Sequence, residues 1–422
     1  MFIGVIADDF TGGTDIAGFL VEGGLSTVQL SGVPADTFTT EADAVVVSLK
    51  SRSCPANEAV EQSLATLRWL QLQNCQQIFF KYCSTFDSTA EGNIGPVTDA
   101  ILKQLGEKFT IIAPALPVNG RTVYCGHLFV NGALLNESGM QNHPVNPMRD
   151  ANLMRLMEMQ ASGKAGNVPS SVLDQGAEAV RKAFAALADK GISYGVPDTL
   201  TTDHLSILGE AAADMPFVTG GSGLAAGLAK ALAKKRGWKQ ENASEAGAPL
   251  PGGKTIVLSG SCSVMTNKQV AIYSADAPSF QVEVGRCTKD AVGYAAEIAS
   301  WIDQQDSGKA PLIYATASPE ALAAIQSQFG AREASLAVEH LFSELTIHLK
   351  NRGFDHFIIA GGETSGVIVQ KLGISAFHIG PQIAPGVPWV RAVNMPVSLA
   401  LKSGNFGDEQ FFSKAQTFYA GK

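Results

Sequence analysis

Two adjacent carboxylates stand at the start of this chain, Asp8 and Asp9, directly after a short apolar run and before Thr11-Gly12-Gly13-Thr14. A buried strand that hands acids and a glycine turn to a helix is how ligand sites are built in open α/β sheets, outside the carboxyl ends of the strands. Neighbouring carboxylates repel, so they require a metal, a cation or a hydroxylated ligand close by. Two further clusters follow apolar runs in the same way: Lys50-Ser51-Arg52-Ser53, and a stretch from Lys81 through Asp87, Ser88 and Thr89 to Gly95-Pro96. In a parallel sheet all three loops share one edge. Together they suit a small, polyhydroxylated, anionic ligand, with Arg52 able to take a carboxylate bidentately and Asp8, Asp9 or Asp87 able to bind hydroxyls.

The second half carries different chemistry. Ser259-Gly260-Ser261-Cys262-Ser263 and Gly361-Gly362-Glu363-Thr364-Ser365-Gly366 each lie between an apolar run and a helical pattern. Small residues there let backbone N–H groups approach an anion at the positive end of a helix, and two such turns point to a nucleotide with a phosphate tail. Neither turn is G-x-x-x-x-G-K-[ST] or G-x-G-x-x-G. A third candidate, residues 402–407, includes Gly404. His127, in a glycine-punctuated stretch with Arg121, is a candidate acid/base. The other histidines, His143 among them, have no metal-site spacing, and no metal ligands are assigned.

The elements that must position these groups alternate. Strands are expected at residues 2–7, 26–30, 44–49, 77–81 and 110–113, with helices at 56–71 and 97–105. Helical patterns follow at 152–160, 177–190, 203–214 and 224–235. A polar stretch rich in Ala, Gly and Pro, residues 240–253, reads as a linker. Alternation then restarts: strands at 255–258, 280–284, 312–314 and 357–360, helices at 264–273 and 291–303, a long helical region at 334–350, and a strand-like 397–401. The expectation is an α/β protein of two domains with largely parallel sheets and a substrate cleft between them. The first domain is placed at 1–238, a linker at 239–253 and the second domain at 254–422.

The chain has 422 residues, 45% of them hydrophobic, and a net charge of −8. That length suits two cores. The charge and the absence of a basic stripe argue against a nucleic-acid partner. The six cysteines form no CxxC pair, which fits reduced thiols in a cytoplasmic protein. No apolar run is long enough for a bilayer. A homodimer is the base-rate expectation for the assembly.

The motifs A-D-D-F-T-G-G-T-D, K-Y-C-S-T-F-D-S-T with G-N-I-G-P, S-G-S-C-S, G-G-E-T-S-G and K-S-G-N-F-G, in this order along the chain, resemble the four-carbon acid sugar kinase family, most closely its 3-oxo-tetronate kinase members. The resemblance implies an N-terminal sugar-acid domain, a C-terminal nucleotide domain and ATP-dependent phosphorylation of a terminal 4-hydroxyl, with Mg²⁺ accompanying ATP. It implies ATP contacts at Ser259, Gly361, Gly362, Glu363, Thr364, Ser365 and Gly404, and substrate contacts in the first-domain clusters, Asp8, Asp9, Arg52, Lys81, Asp87 and Ser88. Asp8, Asp9 and Asp87 are all chemically able to act as the catalytic base, and position in polar loops favours Asp87 or Asp9. The departure from the family's pattern is Gly13, where alanine is expected, a small-for-small change. D-Threonate and D-erythronate kinases of the same family are rival readings. So are an aspartate-dependent phosphatase, whose chemistry asks for a D-x-D spacing, and a non-catalytic sugar-acid sensor.

Overall fold

The computed structural model describes residues 1–142, 146–237, 243–305 and 308–418. His143 and residues 239–242 of the expected linker lie outside these. The chain divides into two compact units, Met1–Ala243 and Ser244–Lys422.

The first unit contains β1 (Ile3–Ala7), α1 (Phe10–Glu22), β2 (Thr27–Ser31), β3 (Ala44–Ser48), α2 (Ala56–Leu72), β4 (Gln77–Lys81), α3 (Ile94–Leu105), β5 (Thr110–Ala113), β6 (Arg121–Tyr124), β7 (His127–Val130), β8 (Ala133–Leu134), α4 (Leu153–Gln160), β9 (Ala165–Val168), α5 (Ser170–Leu173), α6 (Ala177–Asp189), β10 (Tyr194–Pro197), α7 (Thr202–Ala212), β11 (Phe217–Gly220) and α8 (Ser222–Arg236). Eight strands pair in the order β2-β3-β1-β4-β11-β5-β10-β9, every neighbouring pair parallel. β1 and β3 are buried at every position and apolar at all but the last residue of β3, as expected of strands covered on both faces. The chain moves to one side of β1 for β2 and β3 and to the other for β4. The strand order therefore reverses at β1, the place where open α/β sheets open a crevice. A separate antiparallel meander, β6-β7-β8, replaces the loop expected around His127. The glycines there mark its tight turns, with Gly126 and Gly132 at positive φ.

The second unit contains β12 (Lys254–Ser259), α9 (Val264–Ser274), β13 (Ser279–Gln281), α10 (Val284–Ile302), β14 (Leu312–Tyr314), α11 (Pro319–Phe329), α12 (Ala331–Asn351), β15 (Phe354–Ala360), α13 (Gly362–Leu372), β16 (Ala376–Ala384), β17 (Val387–Ala392), β18 (Ser398–Lys402) and α14 (Phe411–Thr417). The order β13-β14-β12-β15-β18-β17-β16 is parallel from β13 to β18 and ends in antiparallel β17 and β16. It reverses at β12 as the first unit does at β1. Trp389, Phe357 and Phe411 are fully buried in its core.

The long helical region expected at 334–350 is the second of two helices, α11 and α12, separated at Gly330, whose φ is +84°. The helix expected at 291–303 begins seven residues earlier and carries a break at Asp290 (φ −157°, ψ 80°). The sequence pattern starts where the regular geometry does, after that break.

Packing corrects the reading of Gly13 as a neutral departure. It sits in the first turn of α1 against β2 and β3, where Thr14 Oγ1 donates to Gln29 Oε1 (2.9 Å) and Gln29 Nε2 donates to Ser48 Oγ (2.9 Å) and the Phe10 carbonyl (3.1 Å). A Cβ on residue 13 would overlap Ser48 Oγ. Gly13→Ala should therefore cost about 1–3 kcal/mol through overpacking, and Ser48→Gly added to it should recover part of the loss. Urea unfolding of the single and double variants checks this; a single variant as stable as the parent would contradict the packing.

Candidate functional site

Three parallel strands, β1, β3 and β4, end side by side, so the loops after them meet. Asp8 leaves β1, and its carbonyl accepts from the amides of Ser51 and Arg52, while its own amide donates to the Lys81 carbonyl. The Arg52 guanidinium grips Asp8 bidentately, Nε to Oδ2 and Nη2 to Oδ1 at 2.8 Å each, and Nη2 also donates to Asp9 Oδ1 at 2.8 Å. The cation that the paired acids require is thus in the chain itself. The Nε–Nη2 edge of Arg52, expected to take a ligand carboxylate, is engaged here by Asp8.

Asp9 also caps α1, its Oδ1 accepting from the Gly12 amide (2.9 Å), a favourable place for negative charge. Its Oδ2 takes no protein donor among the described residues. Burial raises the pKa of Asp9, with Asp8 adding to the rise while Arg52 and Lys81 work against it. For Arg52, burial favours the neutral form, but the charge and hydrogen bonds of Asp8, with Asp9, outweigh it and raise its pKa. Lys81 is buried, and its Nζ donates to the Tyr82 carbonyl (2.8 Å); its charge also reaches Asp9.

The third cluster closes a small cavity lined by Asp8, Ser51, Arg52, Asp87, Ser88 and Asn93. Phe86 has a positive φ of 47°, which turns the chain sharply before Asp87. The Ser88 hydroxyl donates to Gln160 Oε1 (3.0 Å), which also accepts from the Gly95 amide (3.1 Å). Asn93 Nδ2 donates to the carbonyls of Ser51 (2.7 Å) and Cys54 (2.9 Å), tying the Arg52 loop to α3. Sequence reasoning missed Asn93 and Gln160 as organisers, because their partners lie about forty and seventy residues away. His127 stands in β7 with Nδ1 2.8 Å from the Cys125 carbonyl and Nε2 3.3 Å from Asn152 Nδ2.

The nucleotide-type turns gather in the second unit, after β12, β15 and β18. Ser259 is fully buried and its hydroxyl bonds Thr316 (2.7 Å), which in turn donates to the Ser261 carbonyl (2.8 Å). Its side chain therefore braces the turn, and the residues that open outward are those after it. Gly361 caps α13 with φ +127° and ψ 133°, and no side chain caps that helix. Gly362 and Glu363 are exposed, whereas Thr364 and Ser365 are buried, with Ser365 Oγ lacking a partner among the described residues. Gly404 lies against Ser261 and Ser263. The Ser259, Gly361 and Gly404 turns thus form one edge, with an uncapped helix N-terminus in it.

Residues 3–228 match a sugar-binding N-terminal domain and residues 256–412 a nucleotide-binding C-terminal domain. A curated Salmonella typhimurium protein named 3-oxo-tetronate kinase is 61% identical over 418 residues, 98% of each chain. The chain belongs to the four-carbon acid sugar kinase family. Another relative in that family, a 3-oxo-tetronate kinase from Brucella melitensis, is 59% identical over 99% of this chain and 95% of its own. A crystal structure from Salmonella typhimurium LT2, described there as a candidate tRNA synthase, superposes with a TM-score of 0.94 at 59% identity over 99% of both chains. The edge rich in carboxylates and cations lies within the residues matched to the sugar-binding domain, and the edge rich in glycines and hydroxyls within those matched to the nucleotide-binding domain.

Proposed function

We propose that this protein is an ATP-dependent kinase that converts a 3-oxo-tetronate to its 4-phosphate. The reading is carried by the two ligand edges, each at a strand-order reversal, and is supported by the 3-oxo-tetronate kinase relatives. Phosphoryl transfer needs positioning, charge neutralisation and a base for the attacking hydroxyl, with little covalent work by the protein.

In the proposed site Asp9 is the base. Arg52 and the Gly12 amide hold its Oδ1, leaving Oδ2 to accept the proton from the substrate hydroxyl, and burial raises its affinity for that proton. Asp87 and Ser88 bind substrate hydroxyls or the segment that does so, and Lys81 supplies positive charge beside Asp9. Asp8 holds Arg52 in place. In the second unit the N-terminal turn of α13 and the turns at Ser261 and Gly404 receive phosphates. No group of three or more His, Cys, Asp or Glu side chains forms a cation cage among the described residues, which fits Mg²⁺ entering with the nucleotide on phosphate oxygens, Glu363 being the acidic side chain of that turn. The ion would neutralise phosphate charge. Six free cysteines support a cytoplasmic location; no helix among the described residues is long and apolar enough to cross a membrane.

The phosphatase reading loses its nucleophile, since both oxygens of Asp8 accept from Arg52. The deciding assay follows ADP release from Mg-ATP with a panel of 3-oxo-tetronates, D-threonate and D-erythronate. Turnover should be greatest with a 3-oxo acid. Release above background with none of them would sink the kinase reading; preference for threonate or erythronate would overturn the substrate.

A further inference from the structure

Lys402, the last residue of β18, is fully removed from solvent, yet carries no carboxylate partner among the described residues. Its Nζ donates to Thr266 Oγ1 (3.0 Å) and to the carbonyls of Ser403 (3.1 Å) and Gly404 (2.7 Å). Thr266, in the first turn of α9, passes the link on by donating to the same Gly404 carbonyl (2.7 Å). A buried ammonium bonded only to neutral oxygens is expensive to keep charged. Were the purpose only to pin a turn, a neutral donor would do so at lower cost.

The geometry shows what the ammonium achieves. In a trans peptide the carbonyl and the following N–H point opposite ways. With the Ser403 and Gly404 carbonyls drawn inward to Nζ, the amides of Gly404 and Asn405 must face away from it. Neither amide has a protein acceptor among the described residues. Successive outward N–H groups make an anion-binding concavity. It stands beside Ser261 and Ser263, and the Gly361 amide donates to the Lys402 carbonyl (2.9 Å), so the lysine joins all three phosphate-type turns.

We propose that Lys402 is a positioning residue for the nucleotide: through Thr266 and the 403–404 carbonyls it turns the Gly404 and Asn405 amides toward a polyphosphate and adds buried positive charge behind them. This rests on the nucleotide reading of the second unit and extends it to residues that reading does not use. Burial lowers the pKa of Lys402 from 10.5 to about 8. No charged side chain contributes to that shift, and ionisable residues on the surrounding elements have other settings. Lys268 of α9 pairs with Glu409, and Asp408 with Lys414. Asp355 and His356 of β15 pair with each other, Arg391 stands on β17, and Glu363 of α13 is exposed. A bound polyphosphate favours the protonated amine, so by linkage nucleotide affinity falls as pH rises through the pKa of the free protein.

Calorimetric titration of the full chain with Mg-ATP tests this. The parent should bind about tenfold more weakly at about pH 9.5 than at about pH 7. Lys402→Met should be about tenfold weaker at the lower pH and flat across the range, with KM for the acid unchanged. Thr266→Val, which keeps volume but cuts the relay, should weaken Mg-ATP binding and retain the pH slope. A flat parent profile, or Lys402→Met binding Mg-ATP like the parent, overturns the proposal while leaving the kinase reading intact. If Lys402→Met does not fold, the parent profile and Thr266→Val decide alone. A parent that binds no Mg-ATP at about pH 7 would instead overturn the nucleotide reading and this proposal with it.

Discussion

Arg52→Ala should abolish most turnover and also loosen the fold. The side chain of Asp8 is only 8% exposed and that of Arg52 23%, so removing the guanidinium strands one buried carboxylate and leaves a second, Asp9, beside it. Breaking a pair of this kind costs about 3 kcal/mol, visible as an earlier urea midpoint. The two acids would then repel, and Asp9 would lose the contact that orients it. We expect kcat/KM for the acid to fall by about 10²–10³-fold, with KM for ATP within about twofold. Arg52→Lys should recover part of the stability and little of the activity, because an ammonium cannot bridge two carboxylates with a planar fork. An Arg52→Ala protein with parental stability and parental KM for the acid would show that the grip on Asp8 and Asp9 does nothing for the site.

The second large effect is expected at Gly361, and on the other substrate. At φ +127° and ψ 133° the backbone is in territory that an L side chain enters at a cost of about 1–3 kcal/mol. A Cβ would also press on Thr364 Oγ1 at 2.9 Å and the Ser261 amide at 3.3 Å. Gly361→Ala must relieve both by rotating the turn, which moves the first amides of α13 and pushes on the Ser261 turn together. KM for ATP should rise about tenfold to a hundredfold, while KM for the acid stays within about twofold. Steady-state kinetics with each substrate varied in turn would check it; an unchanged KM for ATP would remove this turn from the nucleotide site.

Much of the sheet was legible because its central strands are almost wholly apolar. Residues 3–7 read I-G-V-I-A and 44–48 A-V-V-V-S, and both become buried parallel strands. The meander β6-β7-β8 and the antiparallel strands β16 and β17 also went unread; among the parallel strands those missed are β9, β10 and β11, A-G-N-V, Y-G-V-P and F-V-T-G. Four residues interrupted by Gly, Asn or Pro present no periodicity, and only pairing with neighbours makes strands of them. α11 escaped notice because its sequence runs into α12 with a single glycine between them.

Residue types at the site were readable and their pairings were not. Three loops after three strands could be located from pattern alone. Whether Arg52 would face a ligand or Asp8, forty-four residues away, depends on strand order, which local sequence does not encode. Thr316, Gln160 and Thr266 are ordinary polar residues along the chain. They gain meaning only from what the fold brings to them: Ser261, Gly95 and Lys402.

On the proposed reading, both units carry their ligand loops at the ends of strands around the order reversal, β1, β3 and β4 in one and β12, β15 and β18 in the other. Residues that hold the sheet together and residues that meet a ligand therefore occupy alternate stretches of chain. Inheritance can act on them separately. On the proposed reading, exchanging side chains other than Arg52 after β3 and β4 should change which acid is accepted while the strand pairings and the turns of the second unit stay as they were. Diversification of the acid under a constant phosphate donor is the path this architecture makes easiest.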